Sequence, residues 1–395
     1  MPKSNGGQAG HKGDTLEMVE QPDEIKQLRP QRCACGKRLL RQDMEVNARR
    51  QIFDIPPPKL EVVEYQQMSC CCPDCGAVNV GEFPSGVSAP VQYGHGVQAV
   101  VNLLSVKCQL SHQNIGELFG DLYGQSINDG TIQSFLSKGN DRCESVEQSI
   151  KDHLFSSASI HGDETGLNIG GKRHWLHVLS NDKWTYLFAH AKRGREAINE
   201  YAAALKDYTG YLIHDCLSTY WGYVLAVHCL CVPHLLRELT AQVEQKRSWA
   251  EQMYLLLLQL YDKYQQGKTI HRRSHEWRLY QQICRQAFEE EPSPSRNDKG
   301  KIKKTKGRNL AERLLKRQAE VLRFVMEDGV PFSNNQAERD LRPAKGKQKV
   351  AGCFRTQTGA QRYARMQGVI STLRKQGHHV FEALKVILSG REFSF

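Results

Sequence analysis

Apolar residues recur with the spacing of an amphipathic helix along residues 97–150. Within this stretch, the segments 111–123 and 128–135 are separated by Gly124, which favours a tight turn. The pattern therefore predicts a helical segment over residues 95–150 that contains a packed helix pair. A helix-turn-helix pair reads DNA in many proteins, but it is also a common way to pack two helices, and both interpretations stay open here.

After residue 150 the period changes to that of strands. Three strands, a helix and two further strands are predicted in turn at 158–161, 175–179, 184–189, 195–205, 211–213 and 224–230. This is a mixed α/β order, and it is the order of the ribonuclease H-like fold. We therefore expect the first part of a ribonuclease H-like core at residues 151–235.

Helical periodicity returns after residue 235. We expect a helical insertion at residues 236–330, the last part of the core at 331–355 and a C-terminal helical region at 356–395. The insertion is interrupted at 291–305, and Lys and Arg greatly outnumber Asp and Glu over 296–317. Such a run is usually a solvated loop, although it can also contact a DNA backbone.

The N-terminal residues 1–82 show a different pattern from the rest of the chain. Residues 1–30 are polar and glycine-rich, and we expect a tail that is ordered only against a partner. Residues 31–82 predict a small cysteine-bearing module with a strand at 59–67. The predicted fold class is thus α/β: a ribonuclease H-like core with a helical insertion, preceded by a zinc-ribbon-like module and the helix-turn-helix-like segment.

Two cysteine pairs in this module predict a zinc site. The thiolates of Cys33, Cys35, Cys72 and Cys75 would give one tetrahedral Zn²⁺ its four ligands. The first pair has C-x-C spacing, one residue shorter than the C-x-x-C of the second, and the neighbouring cysteines at 70 and 71 are possible substitutes. A set of free or buried cysteines remains the alternative.

Composition points to an anionic partner in a reducing compartment. Lys and Arg number 54 against 43 Asp and Glu, the net charge is +11 and the isoelectric point is about 9.0, which favours nucleic acid. The count of 13 cysteines is odd, and several lie in close pairs, as metal ligands do. The longest apolar run, 254–258, is far shorter than the ~20 residues that cross a bilayer, and residues 1–7 do not form a signal peptide. We expect a cytoplasmic, nucleoid-associated protein that binds DNA and no membrane.

Three acids follow the elements on which a two-metal site would be built. Asp163 and Asp215 come directly after strand-like runs, and Glu338 stands at a predicted helix start. Phosphoryl transfer by two divalent cations needs such oxygen ligands on a rigid scaffold. Any one of these acids could simply cap a turn, but three in the right order favour a site. Glu164 and Asp340 are the nearest rivals and rank lower.

Basic residues surround the third acid. We predict that Arg339 and Arg342 face DNA phosphates, and that the same basic edge continues through Lys345, Lys347, Lys349 and Arg355. Surface salt bridges are the alternative interpretation.

Taken in order, nine short motifs make the chain similar to a known family. They stand at 6–13 (GGQAGHKG), 89–94 (APVQYG), 161–165 (HGDET), 192–198 (KRGREAI), 210–215 (GYLIHD), 231–239 (CVPHLLREL), 334–343 (NNQAERDLRP), 352–355 (GCFR) and 371–377 (STLRKQG). With these motifs and the cysteine module, the chain resembles the insertion-sequence-66 family of DDE transposases.

The resemblance implies that Asp163, Asp215 and Glu338 are catalytic and bind Mg²⁺ or Mn²⁺. It also implies cut-and-paste transposition, in which water cleaves the transposon ends and the freed 3′-hydroxyl attacks target DNA. The partners implied are transposon-end and target DNA, further copies of the chain in a synaptic complex, and helper proteins of the same element. Cys231 and His234 resemble a C-x-x-H element with a structural role.

Two departures from the family pattern keep other functions open. The chain starts almost at the 6–13 motif, where family members usually carry a further helical segment, so we expect a front-shortened copy. Leu217 stands where a tryptophan is often found. An inactive or regulatory DNA-binding relic is therefore one alternative, and a ribonuclease H-like nuclease without strand transfer is another.

Overall fold

The computed structural model describes residues 16–39, 44–296 and 302–395, and the chain forms two compact units, Met1–Val62 and Val63–Phe395. The predicted tail at residues 1–30 lies only partly within the described residues. In the first unit, an antiparallel bridge joins Arg32 to Arg38 around a turn in which Gly36 has a φ of 89°.

The second unit begins with a short hairpin of β1 (Ser69–Cys71) and β2 (Val78–Val80). The strand predicted at 59–67 is wrong, because those residues, all of them described, have no ladder partner. Their alternation covers no core either, since Val62 is 88% exposed.

Four helices follow the hairpin: α1 (His95–Val106), α2 (His112–Tyr123), α3 (Asp129–Arg142) and α4 (Glu144–Phe155). The predicted helix pair is confirmed as α2 and α3. Ser111 and Asn128 cap the two helices, accepting backbone N–H groups at 3.1 and 2.8 Å, and Gly124 ends α2 with a φ of 70°. These caps are local signals, which is why the sequence predicted both helix starts.

A central mixed sheet carries the next five strands: β3 (Ser159–Ile169), β4 (Lys172–Ser180), β5 (Thr185–His190), β6 (Tyr211–His214) and β7 (Val227–Leu230). Their spatial order is β5-β4-β3-β6-β7. β4 is antiparallel to both of its neighbours, β3 and β5, whereas β6 runs parallel to β3 and β7 parallel to β6. All five predicted strands are present.

Several elements differ in length from the prediction. Strands β3 and β4 extend as a two-stranded ribbon to a tight turn at Gly170 and Gly171, whose φ angles are 56° and 78°. The helix predicted at 195–205 ends early: α5 (Arg195–Tyr201) is followed by a 3₁₀ turn, Ala203–Lys206.

The helical insertion follows β7. Its elements are α6 (Val232–Val243), α7 (Ser248–Gln265), α8 (His275–Glu290), a minimal hairpin of β8 (Ser295–Arg296) and β9 (Ile302–Lys303), α9 (Lys306–Lys316) and α10 (Gln318–Met326). These helices form an apolar core together with residues of β6 and β7, and it includes the fully buried Trp249, Leu257 and Tyr280. The interruption of the helices coincides with the predicted basic loop, part of which lies outside the described residues.

The chain then returns to the sheet as α11 (Asn335–Ala351), α12 (Gln357–Lys375) and α13 (Val380–Leu388). Ala337, Leu341 and Ala344 bury one face of α11 in the core beneath β3 and β4. Beyond α11, Phe354 exchanges backbone hydrogen bonds with the end of β3, at 2.9 and 2.8 Å. The helix is thus tied to β3 after its last residue. Among the described residues, every helix is too short or too polar to cross a membrane.

Candidate active site

Asp163 and Asp215 lie side by side because their strands are neighbours. Asp163 is in β3 and Asp215 follows β6 directly, and the two strands run parallel with His161 opposite Ile213. Carboxylate oxygens of Asp163, Glu164 and Asp215 lie within 4.8 Å of one another. Asp163 lies within β3 beside the point where β6 ends, so the carboxylates meet at the carboxyl end of β6, a position where α/β proteins bind ligands.

The electrostatics of this cluster favour a divalent cation. The pKa of Asp163 is raised to about 7, mainly by burial and also by the charges of Glu164, Asp215 and Glu338, against the lowering effect of the Glu164 backbone N–H. Crowded carboxylates in a partly dry site repel one another, and a divalent cation removes that repulsion. Carboxylate oxygens are also the ligands that Mg²⁺ and Mn²⁺ prefer, so the residues present fit such an ion.

Backbone groups hold the two aspartates in place. The Glu164 N–H donates to Asp163 Oδ1 at 2.8 Å, and the Leu217 N–H donates to Asp215 Oδ1 at 3.0 Å. The Leu217 side chain, at the position where the sequence departs from the family, packs against the main core.

Glu338 lies in the first turn of α11, next to the aspartates but outside their 4.8 Å cluster. Its Oε1 is 3.7 Å from His234 Nε2 and 3.5 Å from an Arg237 nitrogen. Its charge nevertheless contributes to the raised pKa of Asp163. The three predicted acids therefore face the same region, with Glu338 oriented by two side chains of α6.

Each of the two rival acids, Glu164 and Asp340, forms a salt bridge with a basic side chain. Glu164 is buried and pairs with Arg193 at 2.7 Å, while Tyr220 Oη donates to it at 3.5 Å. Asp340 is buried and pairs with Lys375 at 2.8 Å. Glu164 still belongs to the carboxylate cluster, whereas Asp340 points into the packing between α11 and α12.

Asn334 connects β3, α6 and α11. Its Nδ2 donates to the Gly162 carbonyl at 2.9 Å, and its backbone N–H donates to Cys231 Sγ at 3.2 Å. Since the amide nitrogen faces Gly162, Oδ1 is the atom that accepts from His161 Nδ1 at 3.0 Å. Burial lowers the pKa of His161 to about 4, so this imidazole is neutral. A fully buried asparagine thus fixes the start of the Glu338 helix on the strand of Asp163.

Cys231 and His234 lie behind Glu338. The imidazole Nδ1 is 3.1 Å from Cys231 Sγ, and Nε2 faces Glu338. Burial raises the pKa of Cys231 to about 11, which keeps it a thiol. Ligand atoms of the three residues lie within 4.8 Å of one another, but the imidazole turns opposite nitrogens to its two neighbours. One ion cannot use both contacts, so the geometry favours a chain of polar contacts that orients Glu338.

Sequence reasoning missed Arg193, Tyr220, Arg237 and the tertiary role of Asn334. Tyr220 covers Gly162 so closely that a Cβ there would lie 2.8 Å from the tyrosine ring. The motifs at 161–165, 192–198 and 231–239 contained Gly162, Arg193 and Arg237, but a motif does not show which side chains meet.

The predicted DNA-facing residues fall into two groups. Arg339, Arg342, Lys345, Lys349 and Arg355 are exposed. Positions 342, 345 and 349 recur at helical spacing from Glu338, so they share its face of α11. Lys347 differs, because its Nζ turns inward, donates to the Ser105 carbonyl at 2.9 Å and lies 5.7 Å from the centre of the Tyr363 ring. Burial lowers the pKa of Lys347.

The predicted zinc ligands are split between the two units. The Lys37 backbone N–H and then the Cys33 thiol lower the pKa of Cys35, in the first unit. In the second unit, the backbone N–H groups of Cys75 and Asp74 and then the Cys75 thiol lower the pKa of Cys72. Each pair is therefore preformed within its own unit, and the four-thiolate zinc site stays a prediction.

Comparison with known proteins identifies the family. The family model described as transposase IS66 family matches residues 91–362, more than half of the chain. No curated protein matches the chain. The matched range contains Asp163, Asp215 and Glu338, and the family implies a transposase-type function, DNA binding and the use of a divalent metal. The resemblance found in the sequence is thereby confirmed: the chain belongs to the IS66 family of transposases.

Proposed function

We propose that this transposase performs cut-and-paste transposition, with Asp163, Asp215 and Glu338 as its catalytic metal ligands. The observation that carries the proposal is the meeting of two aspartates on adjacent parallel strands, Asp163 within β3 and Asp215 directly after β6, with a glutamate whose helix is tied to β3 through Asn334. Cluster geometry and the raised pKa of Asp163 both support a divalent ion there.

The topology supports a ribonuclease H-like core. Three antiparallel strands are followed by two strands parallel to the first, and a large helical insertion separates β7 from the helix of Glu338. This arrangement agrees with the order of elements that the fold requires. It also accounts for the long separation between Asp215 and Glu338 in the sequence.

Mg²⁺ or Mn²⁺, when bound, supplies the Lewis acidity that activates water or a 3′-hydroxyl and stabilises charge on the phosphate. In this chain Asp163 and Asp215 would hold the ions, and Glu338 would complete the set from the side of α11. Glu164 and Arg193 would keep the edge of the site rigid. His234 and Arg237 would orient the Glu338 carboxylate.

DNA would approach the exposed face of α11. Arg339, Arg342, Lys345 and Lys349 support this surface because they are exposed on the helix that carries Glu338, and Arg355 is exposed just beyond its end. We leave Lys347 out, since its ammonium group bonds to the Ser105 carbonyl.

Other parts of the proposal concern ends, partners and zinc. The helix pair α2–α3 would contribute to recognition of transposon ends, and Zn²⁺ would order the cysteine module through Cys33, Cys35, Cys72 and Cys75. Several copies of the chain would assemble on the ends, with helper proteins of the same element.

A nicking assay tests the proposal. Wild type and Asp163→Asn are incubated with Mg²⁺, a labelled transposon end and a target plasmid. We expect wild type to nick the end and join it to the plasmid, and Asp163→Asn to do neither. Equal failure of both proteins, each shown to be folded, would favour the DNA-binding relic. Nicking without joining would favour a nuclease.

A further inference from the structure

A cleft of about 480 Å³ opens beside Glu338, between α6 and α9. His234 and Arg237 of α6 line it, and these are the two side chains that face the Glu338 carboxylate at 3.7 and 3.5 Å. Lys306 and Asn309 of α9 also line it. The cleft therefore shares two side chains with the candidate active site and borders the insertion through α9.

The charges of the cleft suit a polyanion. Arg313 and Glu238 lie in the lining and pair with each other at 2.6 Å, so their charges offset. Lys306 is exposed, and the Arg237 side chain is 61% exposed, so both present cations to solvent. An arginine fork and a lysine ammonium are the groups with which proteins bind phosphates, and an amide such as that of Asn309 supplies a further donor.

The α9 side of the cleft belongs to the basic run identified in the sequence, residues 296–317. Lys306, Asn309 and Arg313 all belong to it. The fold therefore brings one end of that run to the cleft lined by His234 and Arg237, the two side chains that face Glu338.

We propose that the cleft between α6 and α9 holds the sugar–phosphate backbone of the DNA on which the active site acts. Arg237 and Lys306 bind its phosphates, and the exposed Ala241 adjoins its sugars. This inference rests on the proposed function and deepens it: the insertion becomes part of the DNA-binding surface.

The test measures binding of the full chain to a fluorescein-labelled duplex of random sequence, without added Mg²⁺ or Mn²⁺, over a range of salt concentrations. Lys306→Gln is compared with Lys316→Gln. Both lysines are exposed on α9, but Lys316 lies outside the cleft lining, so the control removes the same charge from the same helix.

We expect Lys306→Gln to weaken binding severalfold and to reduce the slope of log K against log salt by about 0.9, the value for one lost phosphate contact. Lys316→Gln should match wild type. A photo-cross-linkable side chain in place of Asn309 should attach to the duplex, and the same side chain in place of Lys316 should not. The cross-linking result does not depend on the stability of a charge variant.

The outcomes separate this inference from the proposed function. Equal effects of Lys306→Gln and Lys316→Gln, with no cross-link from position 309, would overturn the proposed role of the cleft, although wild type would still bind DNA. If wild type binds no duplex at all, the proposed function fails and the cleft fails with it.

Discussion

The side-chain amide of Asn334 donates a hydrogen bond to the carbonyl oxygen of Gly162 over 2.9 Å. Asn334 stands at the N-terminus of α11, where an asparagine side chain usually caps its own helix, yet this side chain makes no capping bond. It is used instead to fix the helix of Glu338 on the strand of Asp163. The distance between the two acids therefore depends on a buried amide.

Replacing Asn334 should separate effects on catalysis from effects on folding. Asn334→Ala leaves the Gly162 carbonyl and the His161 N–H without their partner, at a cost of about 1–3 kcal/mol of unfolding free energy. We expect nicking to fall by about 100-fold, because a displacement of about 1 Å in a catalytic group has that effect. Thermal unfolding and nicking rates are measured together.

The neighbouring Asn335 provides the control. It is exposed on the same helix turn, so Asn335→Ala should change neither quantity much. If Asn334→Ala lowers stability but nicks at the wild-type rate, Asn334 is a packing residue and does not position Glu338.

Glu338 and Asp340 lie two residues apart, and substitutions at the two positions should have opposite effects: one on nicking, the other on stability. Asp340→Asn leaves the buried Lys375 ammonium without its carboxylate, and we expect a loss of about 3 kcal/mol in unfolding free energy. Glu338→Gln should leave stability near wild type and abolish nicking. Chemical denaturation and the nicking assay distinguish the two roles.

The matching double variant Asp340→Asn/Lys375→Met removes both charges and should recover much of the lost stability. The ranking of Glu338 above Asp340 would be wrong if Asp340→Asn kept full stability and lost all metal-dependent nicking.

Buried histidines should make the protein sensitive to mild acid. Burial lowers the pKa of His177 from 6.5 to about 4, so between these values the unfolded chain binds a proton that the folded chain does not. Stability is therefore full above pH 6.5 and is lost as pH falls towards 4, with a slope of up to about 1.4 kcal/mol per pH unit for this group. His161 and His214, whose pKa values are also lowered by burial, should act in the same direction.

His177→Gln should flatten this dependence, because glutamine does not titrate and keeps a donor for the Lys192 carbonyl, which lies 3.2 Å from His177 Nε2. Denaturation midpoints at a series of pH values give the slope. An unchanged slope in the variant would assign the acid sensitivity to other groups.

Local signals in the sequence predicted the elements well. Ser111 and Asn128 marked the starts of α2 and α3, and Gly124 the end of α2, because a cap acts within its own helix turn, whereas α3 continues past the predicted end at 135 to Arg142. The apolar run at 184–189 predicted strand β5, and the structure buries those residues. The pattern at 59–67 failed because alternation specifies a strand only where a partner strand supplies the ladder.

Tertiary contacts were beyond the reach of the same reasoning. The bond from Asn334 to Gly162 joins residues 172 positions apart along the chain, so no local pattern predicts it. Lys347 was counted with the DNA-facing lysines because nothing local shows that its ammonium group meets the Ser105 carbonyl. The order of the three acids could be predicted from the elements, whereas the support of Glu338 by His234 and Arg237 could not.

Metal-directed backbone cleavage tests the central claim most directly. Fe²⁺ with ascorbate and peroxide replaces Mg²⁺, and the hydroxyl radicals formed at the bound ion cut the chain nearby. We predict cuts near Asp163, Asp215 and Glu338 that excess Mg²⁺ suppresses and that Asp163→Asn abolishes. Cleavage confined to other positions, or unaffected by Mg²⁺ and by Asp163→Asn, would contradict a shared metal site at these three acids.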